Sequence, residues 1–170
     1  MRNKSENFLT RQTGFTLVEM IFALVMSSIV LIGISIVVTG ARKHVRDGML
    51  KIDLQRDFSF IETFLSNNIL ASTGNAYQIY ATYADYKKSK PAKKSGACLK
   101  LVYSGKQWRL LFKHNSNLRI IYSDSRKDDL VTDVVSKLVF KKQPGGIETF
   151  IALNRGTWNV EGTLVHAFRN

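Results

Sequence analysis

The first apolar stretch along the chain has no helical or strand-like periodicity. From Phe15 to Thr39 run 25 residues, of which 18 are apolar and none is proline. Between Arg11 and Arg42 the only charged side chain is Glu19. A helix needs about 20 apolar residues to cross a bilayer core, and this run exceeds that. A buried helix of a soluble domain needs one apolar stripe, not an apolar surface all round. The polar exceptions Thr16, Ser27, Ser28, Ser35 and Thr39 can bond back to helical carbonyls, and lipid tolerates Gly33. Beyond Thr39 the pattern turns periodic. Val45, Met49 and Ile52, then Leu54, Phe58, Ile61, Leu65 and Ile69, recur at spacings of three or four, an amphipathic helical stripe. Arg42, Lys43, Arg46, Lys51, Gln55 and Glu62 mostly take the other side. Ser72-Thr73-Gly74-Asn75 supplies a glycine stop, and no proline precedes Pro91. One helix from Phe15 to about Ala71 would extend roughly 85 Å at 1.5 Å per residue, its first half in lipid and its second packed on a globular head.

The remainder reads as strands. Ala97, Leu99, Leu101 and Tyr103 alternate with Cys98, Lys100, Val102 and Ser104. Trp108, Leu110 and Phe112 repeat the alternation after a Ser104-Gly105 turn, and Leu118, Ile120 and Tyr122 follow Asn115-Ser116-Asn117. Residues 137–141, 147–153 and 158–168 complete the set, with Pro144-Gly145-Gly146 and Arg155-Gly156 as turns. Short consecutive strands with tight turns predict an antiparallel sheet that buries one face on the long helix, an α+β fold. The aromatics are expected in its core.

Composition then limits the chemistry. One cysteine, Cys98, excludes an intrachain disulfide framework and any multi-cysteine metal site. His44, His114 and His166 are isolated, and no HExxH, CxxC, GxSxG or phosphate-cradling glycine loop occurs. Asp124, Asp128, Asp129 and Asp133 cluster where a loop and helix start are expected. Their oxygens suit calcium, but the spacing fits no EF-hand, and capping or surface charge explains them as well. No catalytic residue, cofactor or metal site is expected. The net charge of +12 fits nucleic acid, acidic lipid or solubility alike. Its one concentrated source is Lys87-Lys88-Ser89-Lys90-Pro91-Ala92-Lys93-Lys94, read as a solvated loop.

Glu19 is the anomaly. A carboxylate at mid-membrane costs about 2.5–3.5 kcal/mol on insertion scales, less near an interface. Either it reaches the headgroups and does nothing more, or it pairs with a positive charge from elsewhere. The string Gly14-Phe15-Thr16-Leu17-Val18-Glu19 follows a short polar leader and opens the apolar helix. Over about 30 residues this resembles the type IV prepilins and type II secretion pseudopilins. The rest of the chain resembles them in layout. The resemblance implies peptidase cleavage between Gly14 and Phe15, N-methylation of Phe15, and an assembly role for Glu19. The new amine of one subunit would meet the glutamate of another, since an unpaired buried charge is expensive. It also decides the orientation, which flanking basic residues leave nearly tied: leader in the cytoplasm, head outside the inner membrane. Many pilins carry a proline at the position of Ile36, and this chain departs from the family pattern there.

The organisation implied is a cleaved leader over 1–14, a transmembrane and filament-core helix over 15–39, its amphipathic continuation over 40–74, and a β-rich head over 75–170. Implied partners are a prepilin peptidase/N-methyltransferase, other pilin or pseudopilin subunits, the inner-membrane assembly platform and membrane lipid. The expected function is structural, not enzymatic: a minor pseudopilin that helps initiate or cap a type II secretion pseudopilus or type IV pilus. One alternative is a DNA-binding minor pilin of a DNA-uptake pilus, with Lys87, Lys88, Lys90, Lys93 and Lys94 as nucleic-acid contacts. Another is a plain single-span anchor. An ordinary secretory signal has a shorter apolar stretch of about 7–15 residues, although Thr39-Gly40-Ala41 offers a weak small-x-small site.

Overall fold

The structure is a computed structural model and describes residues 16–73 and 76–168. The chain divides into two units, one ending at Arg46 and one beginning at Asp47. Helix α1, Leu17–Ala71, is continuous through Gly33 and Ile36. The Gly74-Asn75 stop lies outside the described residues.

In the first unit Leu17, Phe22, Leu31, Ile36 and Val37 are all more than half exposed. The helix is long and apolar enough to cross a membrane. Three of its hydroxyls turn back on their own backbone. Ser28 Oγ donates to the Leu24 carbonyl at 2.8 Å, Ser35 Oγ to Leu31 at 2.9 Å and Thr39 Oγ1 to Ser35 at 2.8 Å. Each hydroxyl is thereby satisfied without water, as a lipid-facing position requires.

In the second unit the rest of α1 meets two antiparallel sheets. Strands β1 (Gln78–Tyr80), β3 (Cys98–Val102), β4 (Trp108–His114), β5 (Asn117–Tyr122) and β6 (Lys127–Val131) form one, in that order. Strands β2 (Ser95–Gly96), β7 (Val135–Gln143), β8 (Gly146–Arg155) and β9 (Trp158–Ala167) form the other. The sequence predicted one sheet, and missed β1, β2, β6 and the short helix α2 (Tyr83–Lys87). Elements of two to five residues leave too little periodicity to read. The antiparallel, helix-backed α+β layout stands, and it is pilin-like.

Both inner faces contribute to one core. Leu54, Ile61, Leu65 and Ile69 of α1 are wholly buried there with Leu99, Leu111 and Ile120 of the first sheet and Phe140, Ile147 and Ile151 of the second. The helical stripe expected in the sequence therefore splits. Val45, Met49 and Ile52 lie on the opposite face from Leu54 and stay exposed, Met49 by 61% and Ile52 by 64%. At 100° per residue, the step from Ile52 to Leu54 turns the pattern through about 200°. Strand β4 departs from simple alternation as well. Leu111 enters the helix-facing core, whereas Leu110 and Phe112 join Tyr80, Cys98 and Ile121 in a second cluster under α2. Leu110, Leu111 and Phe112 put apolar side chains on both faces because both faces are covered.

Polar ties align helix and sheets. Arg155 at the end of β8 reaches Asp53 at 3.6 Å and Asp57 at 3.5 Å on α1. The Tyr103 hydroxyl donates to the Asn68 carbonyl at 3.0 Å, and Arg109 donates to the Asn68 side chain. Gly162 of β9 lies under Phe58, and a Cβ there would fall 2.7 Å from Phe58 Cζ. The helix crosses the second sheet where that strand has no side chain.

Candidate functional site

The described part of the Gly14–Glu19 motif forms a reciprocal cap. Thr16 immediately precedes α1, and its carbonyl accepts from the Met20 N–H at 3.1 Å, the first helical bond. Its backbone N–H donates to Glu19 Oε2 at 2.8 Å and its hydroxyl to the same oxygen at 3.1 Å. In return Thr16 Oγ1 accepts from the Glu19 N–H at 3.3 Å. A Thr-x-x-Glu capping box satisfies helix-end donors that otherwise lack partners. The carboxylate also opposes the positive end of the helix dipole. The Thr16-x-x-Glu19 spacing that forms this cap is legible in the sequence. Gly14 and Phe15 lie outside the described residues. Glu19 is exposed on this chain and has no cationic partner among the described residues.

The lysine-rich segment is exposed, as expected, but it is pinned. Lys87 ends α2, and Lys90 Nζ pairs with Asp85 at 2.6 Å. That pair and the Thr82 hydroxyl hold the Asp85 carboxyl below its usual range. The Lys93 N–H donates to the Ile79 carbonyl at 2.7 Å, and the Lys94 carbonyl accepts from the Lys142 N–H at 2.8 Å. Strand β2 then passes so close to β1 that a Cβ on Gly96 would collide with the Tyr80 carbonyl.

The aspartates do not open a helix. Asp128 and Asp129 lie in β6, and Asp129 takes a bidentate pair from Arg119 at 2.6 and 2.8 Å across to β5. The Arg119 guanidinium holds the Asp129 carboxyl down to about 2. Asp124 accepts from the Arg126 N–H at 3.0 Å in the turn between the strands. Residues 127–131 read Lys-Asp-Asp-Leu-Val, with no charged–apolar alternation to mark a strand. Among the described residues no three His, Cys, Asp or Glu side chains converge as metal ligands. Cys98 is buried, which pushes its thiol up to about 12 and leaves it a small core residue. His166 is buried, and burial lowers its pKa.

Residues 9–40 match the family model described as the prokaryotic N-terminal methylation motif. No curated protein and no solved structure matches the chain. The matched segment spans Gly14–Glu19, the capping box and the whole apolar run from Phe15 to Thr39. This motif at the head of a membrane-length helix, with a pilin-like α+β layout behind it, points to a subunit of the pilin and pseudopilin type. The chain carries the N-terminal methylation motif of the type IV pilins and pseudopilins. That motif implies processing by a peptidase and assembly with other pilins, and the apolar helix fits membrane anchoring.

Proposed function

We propose that this chain is a minor pseudopilin that helps initiate or cap a type II secretion pseudopilus or type IV pilus. The supporting observation is the motif Gly14–Glu19 placed directly against an apolar helix whose side chains are unburied in the isolated subunit. Prepilin peptidase cuts between Gly14 and Phe15, and the amine of Phe15 is methylated. Cleavage leaves the Phe15–Thr16 peptide bond intact, so the Thr16 N–H still donates to Glu19 and the capping box survives maturation. The subunit waits in the inner membrane with its leader cytoplasmic and its head outside, and an assembly platform then draws it into the filament.

Assembly must cover apolar surface. Met49, Ile52 and Phe60 remain 61%, 64% and 47% exposed on the outward face of the helical segment from Asp47 on, beyond the 15–39 span. Burial against neighbouring helices returns about 25 cal/mol per Å² of apolar area. Within such a bundle the Phe15 amine of one subunit neutralises Glu19 of another, and axial register follows because any other register strands a charge.

Intact-mass measurement of the protein from cells with active peptidase tests processing. The expected species begins at N-methylated Phe15. An intact Met1 start refutes it and leaves a single-span anchor. Stoichiometry in sheared filaments tests the minor role: a few copies per filament support it, and abundance equal to the main subunit refutes it. Loss of the gene is expected to abolish secretion or piliation.

A further inference from the structure

A second surface is independent of the N-terminal motif. No aspartate or glutamate occurs between Asp85 and Asp124, a stretch that carries every lysine from Lys87 to Lys113. The fold concentrates part of that charge along β1. One groove of about 540 Å³ is lined by Tyr77, Lys93, Lys94 and Lys142. A second, of about 520 Å³, is lined by Tyr80, Tyr86, Lys87, Lys90 and Lys100. Gln78 and Ala92 border both, so the two adjoin. Lys142 and Lys100 come from other strands and were not visible in the local lysine run, whereas Lys88 lines neither groove.

The ammonium groups are positioned over rings. Lys142 Nζ lies 5.5 Å from the Tyr77 ring, and Lys87 Nζ 4.9 Å from Tyr83. Lys100 Nζ lies 5.7 Å from Tyr86 and 5.5 Å from Trp108. Ring faces hold such cations without neutralising them. Of the six lysines lining the grooves, only Lys90 forms an ion pair among the described residues. Two adjoining concave grooves of one sign suit a linear polymer of anions more than a single small anion. Their concavity does not suit a plane of lipid headgroups. Cations interleaved with aromatic rings are the combination that tracks a phosphate backbone and stacks its bases.

We propose that this β1 face of the head binds single-stranded nucleic acid, with Lys87, Lys93, Lys94, Lys100 and Lys142 contacting phosphates. Engagement of about five phosphates makes log K fall by about 0.7 per phosphate per decade of salt, so affinity drops about 100-fold between about 50 and 200 mM salt.

The test uses the full chain in neutral detergent and a labelled oligothymidylate, followed by anisotropy across a salt series. The triple variant K93Q/K94Q/K142Q is expected to lose about two units of salt slope. K106Q/K137Q, outside both grooves, is expected to keep the parent slope. With Trp158→Phe, Trp108 is the remaining tryptophan, and its emission is expected to change as the oligonucleotide saturates. Circular dichroism confirms that each variant is folded. The proposal is overturned by no saturable binding at low salt, by a parent slope in the triple variant, by an unresponsive Trp108, by tighter binding of a duplex of the same length, or by displacement of the oligonucleotide by phosphatidylglycerol vesicles at matched charge.

Discussion

Replacing Glu19 by glutamine and by alanine separates the cap it forms from the charge we propose it carries into assembly. Glutamine keeps an oxygen that can accept from the Thr16 N–H and hydroxyl, now at 2.8 and 3.1 Å from the carboxylate. Glu and Gln both serve the last position of a capping box. Alanine loses both bonds, and loss of an end cap costs about 1 kcal/mol of helix stability. Neither variant can neutralise an incoming amine. Removing one partner of a buried charge pair costs about 3–5 kcal/mol, which at 1.4 kcal/mol per decade is roughly a 140- to 3,700-fold loss of incorporation at each such contact. The two roles therefore predict different orders. If the charge decides, Glu19→Gln and Glu19→Ala both fail to enter filaments, although only the alanine variant frays the first helical turn. If the cap decides, glutamine behaves as wild type. Sheared-filament immunoblots against total membrane protein give incorporation, and circular dichroism in detergent gives helicity. Wild-type incorporation of Glu19→Gln would refute the charge-pairing reasoning, whatever alanine does.

Other consequences concern the head. Gly162→Ala drives a Cβ to 2.7 Å from Phe58 Cζ, and overpacking of this kind costs about 1–3 kcal/mol. Adding Phe58→Leu is expected to recover most of that loss in urea unfolding, and additive single effects would show that the helix does not cross β9 there. Asn68→Ala removes the side-chain acceptor of the Arg109 guanidinium, while the Tyr103 hydroxyl keeps the backbone carbonyl of residue 68, so a loss of about 1–3 kcal/mol is expected, visible as a lower urea midpoint at unchanged slope. Burial holds His166 below its ordinary 6.5. The unfolded chain then binds more protons as pH falls through that value, and stability declines on the acid side of neutrality. His166→Leu is expected to flatten the urea midpoint between pH 7 and about 5. The Arg119–Asp129 pair acts in a separate window. With a folded-state pKa of about 2 against an ordinary 3.8, its contribution is present above the higher value and disappears as pH falls toward the lower. Asp129→Asn is expected to remove that acid-limb slope.

The N-terminal third was legible in the sequence because its physics is local. An uninterrupted apolar run defines a membrane-length helix whatever the rest of the chain does, and Gly14–Glu19 is a contiguous string. The hairpins were legible for the same reason. Gly145 and Gly156 adopt φ 74° and 63°, conformations that glycine accepts without a Cβ penalty. Where contacts come from distant segments, local pattern fails. Met49 and Leu54 look alike in sequence, yet one is 61% exposed and the other wholly buried. Only the position of the sheets against α1 decides which face of the helix is covered. The same holds for Leu110 and Leu111, adjacent residues buried in different clusters. The basic grooves are tertiary as well. Lys142 joins Lys93 and Lys94 because β2 pairs with β7, and antiparallel pairing between strands some 45 residues apart is a property of the folded sheet, not of either segment alone.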